Sequence, residues 1–193
     1  ALRRYPSPMA NEFRRVAARL HGVNPENIIA TNGGDELLRL ALTCFVEPGE
    51  AIGVTRPSYS LYPVLAAIHG ASVFEVPRPD DWSLPRNFAA ELNRQKVPLG
   101  LVVNPHAPSG RLASVDELAA IADEFKGVLL IDEAYVDFVD PSLNHSTLPL
   151  LNQFDNLLIL RTLSKGYSLA GLRFGYGIGH ADLVAGLHKV RDS

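Results

Sequence analysis

The sequence predicts an α/β fold of three layers, α/β/α, around a mostly parallel central sheet, and three observations predict it. Apolar strand-like runs alternate with amphipathic helical patterns along the whole chain. Two runs in the second half, Leu99-Gly100-Leu101-Val102-Val103 and 128–131, are continuous rather than alternating, as strands covered on both faces require. The strand–helix–strand order favours crossover connections, which pair strands in parallel.

The elements follow in order. Ser7-Pro8 reads as a helix opening, with Phe13, Val16, Ala17 and Leu20 at helical spacing and Gly22 at the close. A short strand covers 28–30. Asn32-Gly33-Gly34 turns the chain into a helix over 35–45. Pro48-Gly49 turns it again before a strand at 51–55. Pro57-Ser58 opens a helix that Gly70 ends, a strand follows at 73–76, and 77–85 is a loop holding Trp82. After the strand at 99–103 comes a loop over 104–110 with two prolines. Ser114 and Glu117 form a capping box for a helix to about 126. The strand at 128–131 ends at Asp132, another at 157–160 leads to Lys165, and a strand at 174–178 precedes a helix at 181–190.

Composition narrows the function classes. The 193 residues are 47% apolar and 20% charged, enough for one sizeable core. A net charge of −3 with no basic block gives no sign of nucleic acid or an anionic membrane as partner. No apolar run reaches membrane-spanning length and no signal peptide is visible. A single cysteine, Cys44, excludes an internal disulfide framework and fits a reducing, cytoplasmic setting. The six histidines show no metal-ligand spacing, so no metal site is expected. The opening, Ala1-Leu2-Arg3-Arg4, lacks an initiator methionine, and the last residues stop at the end of a helical pattern. The chain is therefore expected to be a segment of a longer protein.

In such a sheet ligands bind beyond the carboxyl ends of the strands, and polar residues gather there in this sequence. Lys165 follows an apolar strand, where desolvation can lower an amine's pKa and ready it to hold a carbonyl group as a Schiff base. Thr162 and Ser164 flank it, and Arg173 lies between Gly171 and Gly175, where a phosphate could approach the backbone. Gly33-Gly34-Asp35 opens a helix whose free N–H groups also favour a phosphate, although a plain tight turn explains it as well. Asp132 follows four apolar residues and is costly to bury without a cation, for which a protonated pyridine nitrogen would serve; a helix cap or a surface acid is the bland reading. Asn104 and Tyr135 could flank a ring oxygen and Tyr59 could stack on a ring face. Alternatively Asn104 forms the turn before Pro105, and both tyrosines are core aromatics. Neither G-x-G-x-x-G nor G-x-x-x-x-G-K-[ST] is present, so the usual nucleotide readings lack a motif. An amine and a guanidinium beside paired hydroxyls point to a phosphorylated aldehyde, pyridoxal phosphate.

The order of these motifs resembles the fold-type I pyridoxal-phosphate aminotransferases, and within them the histidinol-phosphate group. Leu2-Arg3-Arg4-Tyr5-Pro6-Ser7-Pro8, Asn32-Gly33-Gly34-Asp35-Glu36-Leu37, Pro57-Ser58-Tyr59, Asp132-Glu133-Ala134-Tyr135, Ser164-Lys165 and Gly171-Leu172-Arg173 carry the resemblance over almost the whole chain. Asn104-Pro105-His106-Ala107-Pro108-Ser109-Gly110 is similar to the wider N-P-N-x-P-T-G signature, with His106 in place of its second asparagine and Ser109 in place of its threonine. The resemblance implies that residues 1–193 are the cofactor-binding large domain, without the C-terminal small domain whose arginines bind the substrate's anionic groups. Lys165 would be the Schiff-base lysine and proton carrier. Asp132 would pair with the pyridinium nitrogen, Asn104 and Tyr135 would bond the ring oxygen, and Tyr59 would stack on the ring. Gly34, Asp35, Thr162, Ser164 and Arg173 would hold the phosphate, and Glu36 falls in the same binding segment. Tyr5 would reach the partner subunit's cofactor, which implies a homodimer with shared active sites.

The implied reaction is transamination between histidinol phosphate (or imidazole acetol phosphate) and glutamate or 2-oxoglutarate, in histidine biosynthesis. Aromatic amino-acid aminotransferases and threonine-phosphate decarboxylase look alike over this region. A non-catalytic alternative is the aminotransferase-like domain of some transcription regulators, which carry a DNA-binding helix-turn-helix upstream.

Overall fold

The computed structural model describes residues 7–192, so Tyr5 lies outside the described residues. Seven strands form one sheet: β1 (Ile28–Thr31), β2 (Ala51–Arg56), β3 (Ser72–Pro77), β4 (Leu99–Val103), β5 (Val128–Asp132), β6 (Leu157–Thr162) and β7 (Gly175–Gly179). Their order across the sheet is β1-β7-β6-β5-β4-β2-β3. All neighbours pair in parallel except β7, which runs antiparallel to both β1 and β6. The expected mostly parallel sheet is present, with one reversed strand that periodicity alone could not orient.

The helices lie on both faces, because successive strand residues point to opposite sides. Leu158 and Leu160 of β6 join the core under α2 (Gly34–Phe45), α3 (Leu61–His69) and α6 (Ala181–Val190). Leu157 faces the other way, into the core under α4 (Phe88–Arg94) and α5 (Val115–Glu124). Ile159, on that second face, packs with Ile28 and Ile178 beneath α1 (Asn11–His21). The result is a three-layer α/β/α domain.

Several boundaries differ from expectation for local reasons. Ser7-Pro8 does not start α1: Ala10 adopts a left-handed conformation (φ 47°) and the helix begins at Asn11. Pro57-Ser58 likewise precedes α3 by a turn that carries Tyr59, and the helix begins at Leu61. α4 was not expected at all. Its apolar face, Phe88, Ala89 and Leu92, is fully buried, but seven residues give too short a pattern to stand out beside the proline-rich loop. The capping box of α5 forms as predicted: Ser114 Oγ accepts from the Glu117 N–H (3.2 Å), and the Glu117 carboxylate accepts from the Ser114 N–H (2.8 Å). No helix among the described residues is long and apolar enough to cross a membrane.

The reversal of β7 brings separate parts of the chain together. Gly175, its first residue, pairs with both Thr31 of β1 and Thr162 of β6. The start of β7 therefore lies at the same end of the sheet as the carboxyl ends of its neighbours. Val103 pairs with Asp132, and Asp132 with Leu160, which carries the same edge along to β4.

Candidate active site

One pocket opens at that edge. Gly34 and Asp35 come from the start of α2, Tyr59 from the loop after β2, and Ala107 from the loop after β4. Asp132 and Tyr135 follow from the end of β5, with Thr162, Ser164 and Lys165 from β6 and its loop, and Arg173 from the segment entering β7. Residues separated by well over one hundred positions thus share one wall. The crevice between β2 and β4, where connections leave in opposite directions, is where α/β sheets bind ligands.

The anionic centre of the pocket is Asp132, which is buried and has no cationic partner among the described residues. Oδ1 accepts from the Ala134 N–H (3.0 Å), and Oδ2 accepts from the Tyr62 hydroxyl (3.0 Å). Burial pushes its pKa up to about 6; the two hydrogen bonds pull it back, and the Asp35 and Glu133 charges push it further up. A buried carboxylate of this kind is stabilised by any cation that enters the pocket. Tyr62 was missed by sequence reasoning. It is fully buried on α3, and its contact with Asp132 spans 70 positions, so no local pattern signals it.

The same pocket holds groups that could bind an anion. The Gly33-Gly34 turn opens α2, and its first N–H groups are not used by the helix. Gly33 has a φ of 80°, and a Cβ there would lie 2.7 Å from Arg173 Nη2, so glycine both allows the turn and lets the guanidinium lie over it. Gly175 allows the approach from the other side: a Cβ would come within 2.6 Å of the Gly33 carbonyl carbon. Arg173 Nη2 stands 3.5 Å from Asp35 Oδ2, and Nη1 donates to the Ala170 carbonyl (3.1 Å). Thr162 Oγ1 lies 3.0 Å from Ser164 Oγ and accepts from the Ser164 N–H (3.1 Å), which holds that hydroxyl pair beside the same corner.

Lys165 lines the same pocket. Its Nζ stands over the Tyr135 ring, 5.4 Å from the centroid, a cation–π arrangement. The lysine is exposed at the pocket rim rather than buried, so the desolvated amine expected from its strand-end position is not what the structure shows. No ion pair engages it among the described residues. Tyr59 is also partly exposed. Its ring meets Tyr62 edge-to-face, with centroids 5.5 Å apart at 86°. Burial, then the Asp35 and Asp132 charges, push the Tyr59 hydroxyl pKa up.

Two expected residues sit differently. Asn104, at the end of β4, is buried behind the pocket wall, not on it. Its Oδ1 accepts from the Ala113 N–H (2.8 Å), and its Nδ2 faces the Ala113 carbonyl and His145 Nε2, each at 3.3 Å. These contacts tie the amide to the loop that it closes. Glu36 points away from the pocket. It accepts from the Asn32 N–H (2.5 Å) and lies 3.5 Å from Arg39, a helix-start role. Among the described residues no cluster of three His, Cys, Asp or Glu side chains could hold a metal ion.

The profile of the family "Aminotransferase class I and II" matches residues 1–193. Histidinol-phosphate aminotransferase 1 of Trichormus variabilis is 42% identical over 192 residues, covering 100% of this chain and 53% of that protein. Histidinol-phosphate aminotransferase of Rhodopirellula baltica is 42% identical over 193 residues, covering 100% and 52%. The chain thus spans about half the length of the curated relatives it matches. The crystal structure of histidinol-phosphate aminotransferase from Sinorhizobium meliloti in complex with pyridoxal-5'-phosphate superposes with a TM-score of 0.91 at 28% identity, covering 98% of this chain and 52% of that one.

Proposed function

Because the chain belongs to the class I and II aminotransferases, we propose that the full-length protein is a pyridoxal-phosphate-dependent aminotransferase acting on histidinol phosphate and 2-oxoglutarate. Residues 1–193 serve as its cofactor-binding large domain, and the protein works in the cytoplasm as a homodimer in which Tyr5 reaches the partner's cofactor. The curated relatives' names support this substrate, and the sequence motifs support the shared site.

The observation that carries the reading is the pairing of opposite demands in one pocket. Asp132 is a buried carboxylate bonded only to donors, Tyr62 and Ala134, and it suits a protonated ring nitrogen. In the same pocket the Gly34 turn, Ser164 and Arg173 suit a phosphate, and Lys165 lines it too. The residues therefore fit the cofactor. When bound, pyridoxal phosphate supplies a cationic ring that takes up the electrons released at the substrate's α carbon.

The protein's own groups do the rest. Lys165 Nζ would hold the cofactor through its aldehyde group and, once freed, would carry the proton to and from the substrate's α carbon. Asp132 would keep the ring nitrogen protonated, and the Tyr62 hydroxyl fixes the orientation of that carboxylate. Tyr59 would cover the ring face and Arg173 would hold the phosphate, while Tyr135 lies beneath the lysine amine.

Lys165→Ala in the full-length protein, assayed with histidinol phosphate and 2-oxoglutarate, tests the reading; full transaminase turnover in that variant would rule it out. Parallel assays with phenylalanine and with threonine phosphate separate the substrate from the two look-alike activities.

A further inference from the structure

We propose that His106 is a positioning residue that clasps the loop after β4 onto the loop after β2 and thereby sets the Tyr59 ring against the pocket. His106 occupies the place where the signature motif has its second asparagine. Its side chain is 1% exposed, and both ring nitrogens are used. Nε2 lies 3.0 Å from the Pro57 carbonyl and Nδ1 lies 2.8 Å from Ser109 Oγ. The Pro57 carbonyl can only accept, so Nε2 carries the hydrogen and Nδ1 of the neutral ring accepts from the Ser109 hydroxyl. Ser109 Oγ in turn accepts from the Arg111 N–H (3.2 Å). Burial, and then the Arg78 charge, hold the His106 pKa below its ordinary value, which keeps the ring in this neutral form.

The loop closes around the imidazole. The His106 N–H donates to the Arg111 carbonyl (2.8 Å), and the His106 carbonyl accepts from the Gly110 N–H (2.7 Å). Trp82, from the loop after β3, lies 5.8 Å from the imidazole centroid. His106 therefore joins the loops that follow β2, β3 and β4. Pro57 is two residues before Tyr59, whose ring packs edge-to-face on Tyr62, the donor to Asp132. A bond at the Pro57 carbonyl thus acts at the base of the turn that carries Tyr59.

This inference rests on the reading of Tyr59 as the residue that covers the cofactor ring. The test uses the full-length protein with His106→Leu, which keeps bulk and loses both bonds, and His106→Gln, whose amide nitrogen can replace the Nε2 donor. Deuterium exchange is measured over residues 56–62 in cofactor-free protein, and affinity by titration with pyridoxal phosphate. We expect His106→Leu to exchange faster over 56–62 and to bind the cofactor about tenfold more weakly, the worth of the one bond that joins the two loops, that to the Pro57 carbonyl. His106→Gln should restore both. In a Tyr59→Ala background His106→Leu should weaken binding no further, because it acts through Tyr59.

Unchanged exchange and affinity in His106→Leu would overturn the proposal. So would faster exchange with unchanged affinity, or equal losses in Leu and Gln variants with equal losses of melting temperature. If the wild-type protein takes up no pyridoxal phosphate, the cofactor reading fails, and the positioning role fails with it; the exchange data then report only whether the clasp exists.

Discussion

Replacing Asp132 by asparagine separates what this residue does for the fold from what it does for the cofactor. Burial raises its pKa from 3.8 to about 6, so the folded chain disfavours the ionised form. A rise of that size corresponds to about 3 kcal/mol of stability lost above pH 6. The sign follows from the direction of the shift. Below pH 3.8 the group is protonated in both folded and unfolded chains and costs nothing. The loss grows as pH rises through about 6 and is then complete. Asparagine keeps the shape, and its amide can serve both Tyr62 and the Ala134 N–H. In cofactor-free full-length protein Asp132→Asn should therefore resist urea better than wild type at pH 8. By the same arithmetic the advantage should shrink to about half at pH 5. Once cofactor is added the order should reverse, because only the carboxylate pairs with a protonated ring nitrogen. Urea midpoints at the two pH values, with and without pyridoxal phosphate, read all of this. A variant no more stable than wild type at pH 8, or an advantage independent of pH, would refute the reasoning.

Other substitutions probe the remaining parts. Arg173→Ala should weaken pyridoxal phosphate binding by about 10- to 100-fold, as expected for lost charge-assisted hydrogen bonds, and should affect dephosphorylated pyridoxal far less; cofactor titrations compare the two. Glu133→Gln breaks the buried contact with Arg161, whose Nε lies 2.5 Å from the carboxylate, and should cost about 3–5 kcal/mol in urea unfolding. Ser114→Ala removes the capping box of α5 and should cost about 1 kcal/mol while leaving cofactor affinity unchanged, because α5 does not line the pocket.

Much of this was legible in the sequence, for reasons that particular residues make plain. Continuous apolar runs such as 99–103 have one stable home, a strand covered on both faces, so the layer architecture follows from them. Residues at strand ends inherit their place from the strand, and Asp132, Thr162 and Ser164 meet in one pocket for that reason. What the sequence hid was side-chain direction and strand direction. Asn104 and Val103 are neighbours at the end of β4, yet only Val103 faces the pocket. The reversal of β7, which brings Arg173 onto the Gly33 turn, depends on pairing between residues 144 to 150 positions apart. The strand leads to Lys165 as expected, but the lysine stands exposed, because its loop leaves the sheet immediately after Thr162. The contributions of Tyr62 and His106 are long-range contacts, with Asp132 and Pro57, that no local pattern encodes.

The most direct test of the central claim is where the cofactor attaches. The full-length protein is loaded with pyridoxal phosphate, reduced with borohydride to make any imine link permanent, digested, and mapped by mass spectrometry. The account predicts a pyridoxyl adduct on Lys165 that is lost in Lys165→Ala. An adduct on another lysine, or none from fully loaded wild-type protein, would contradict it.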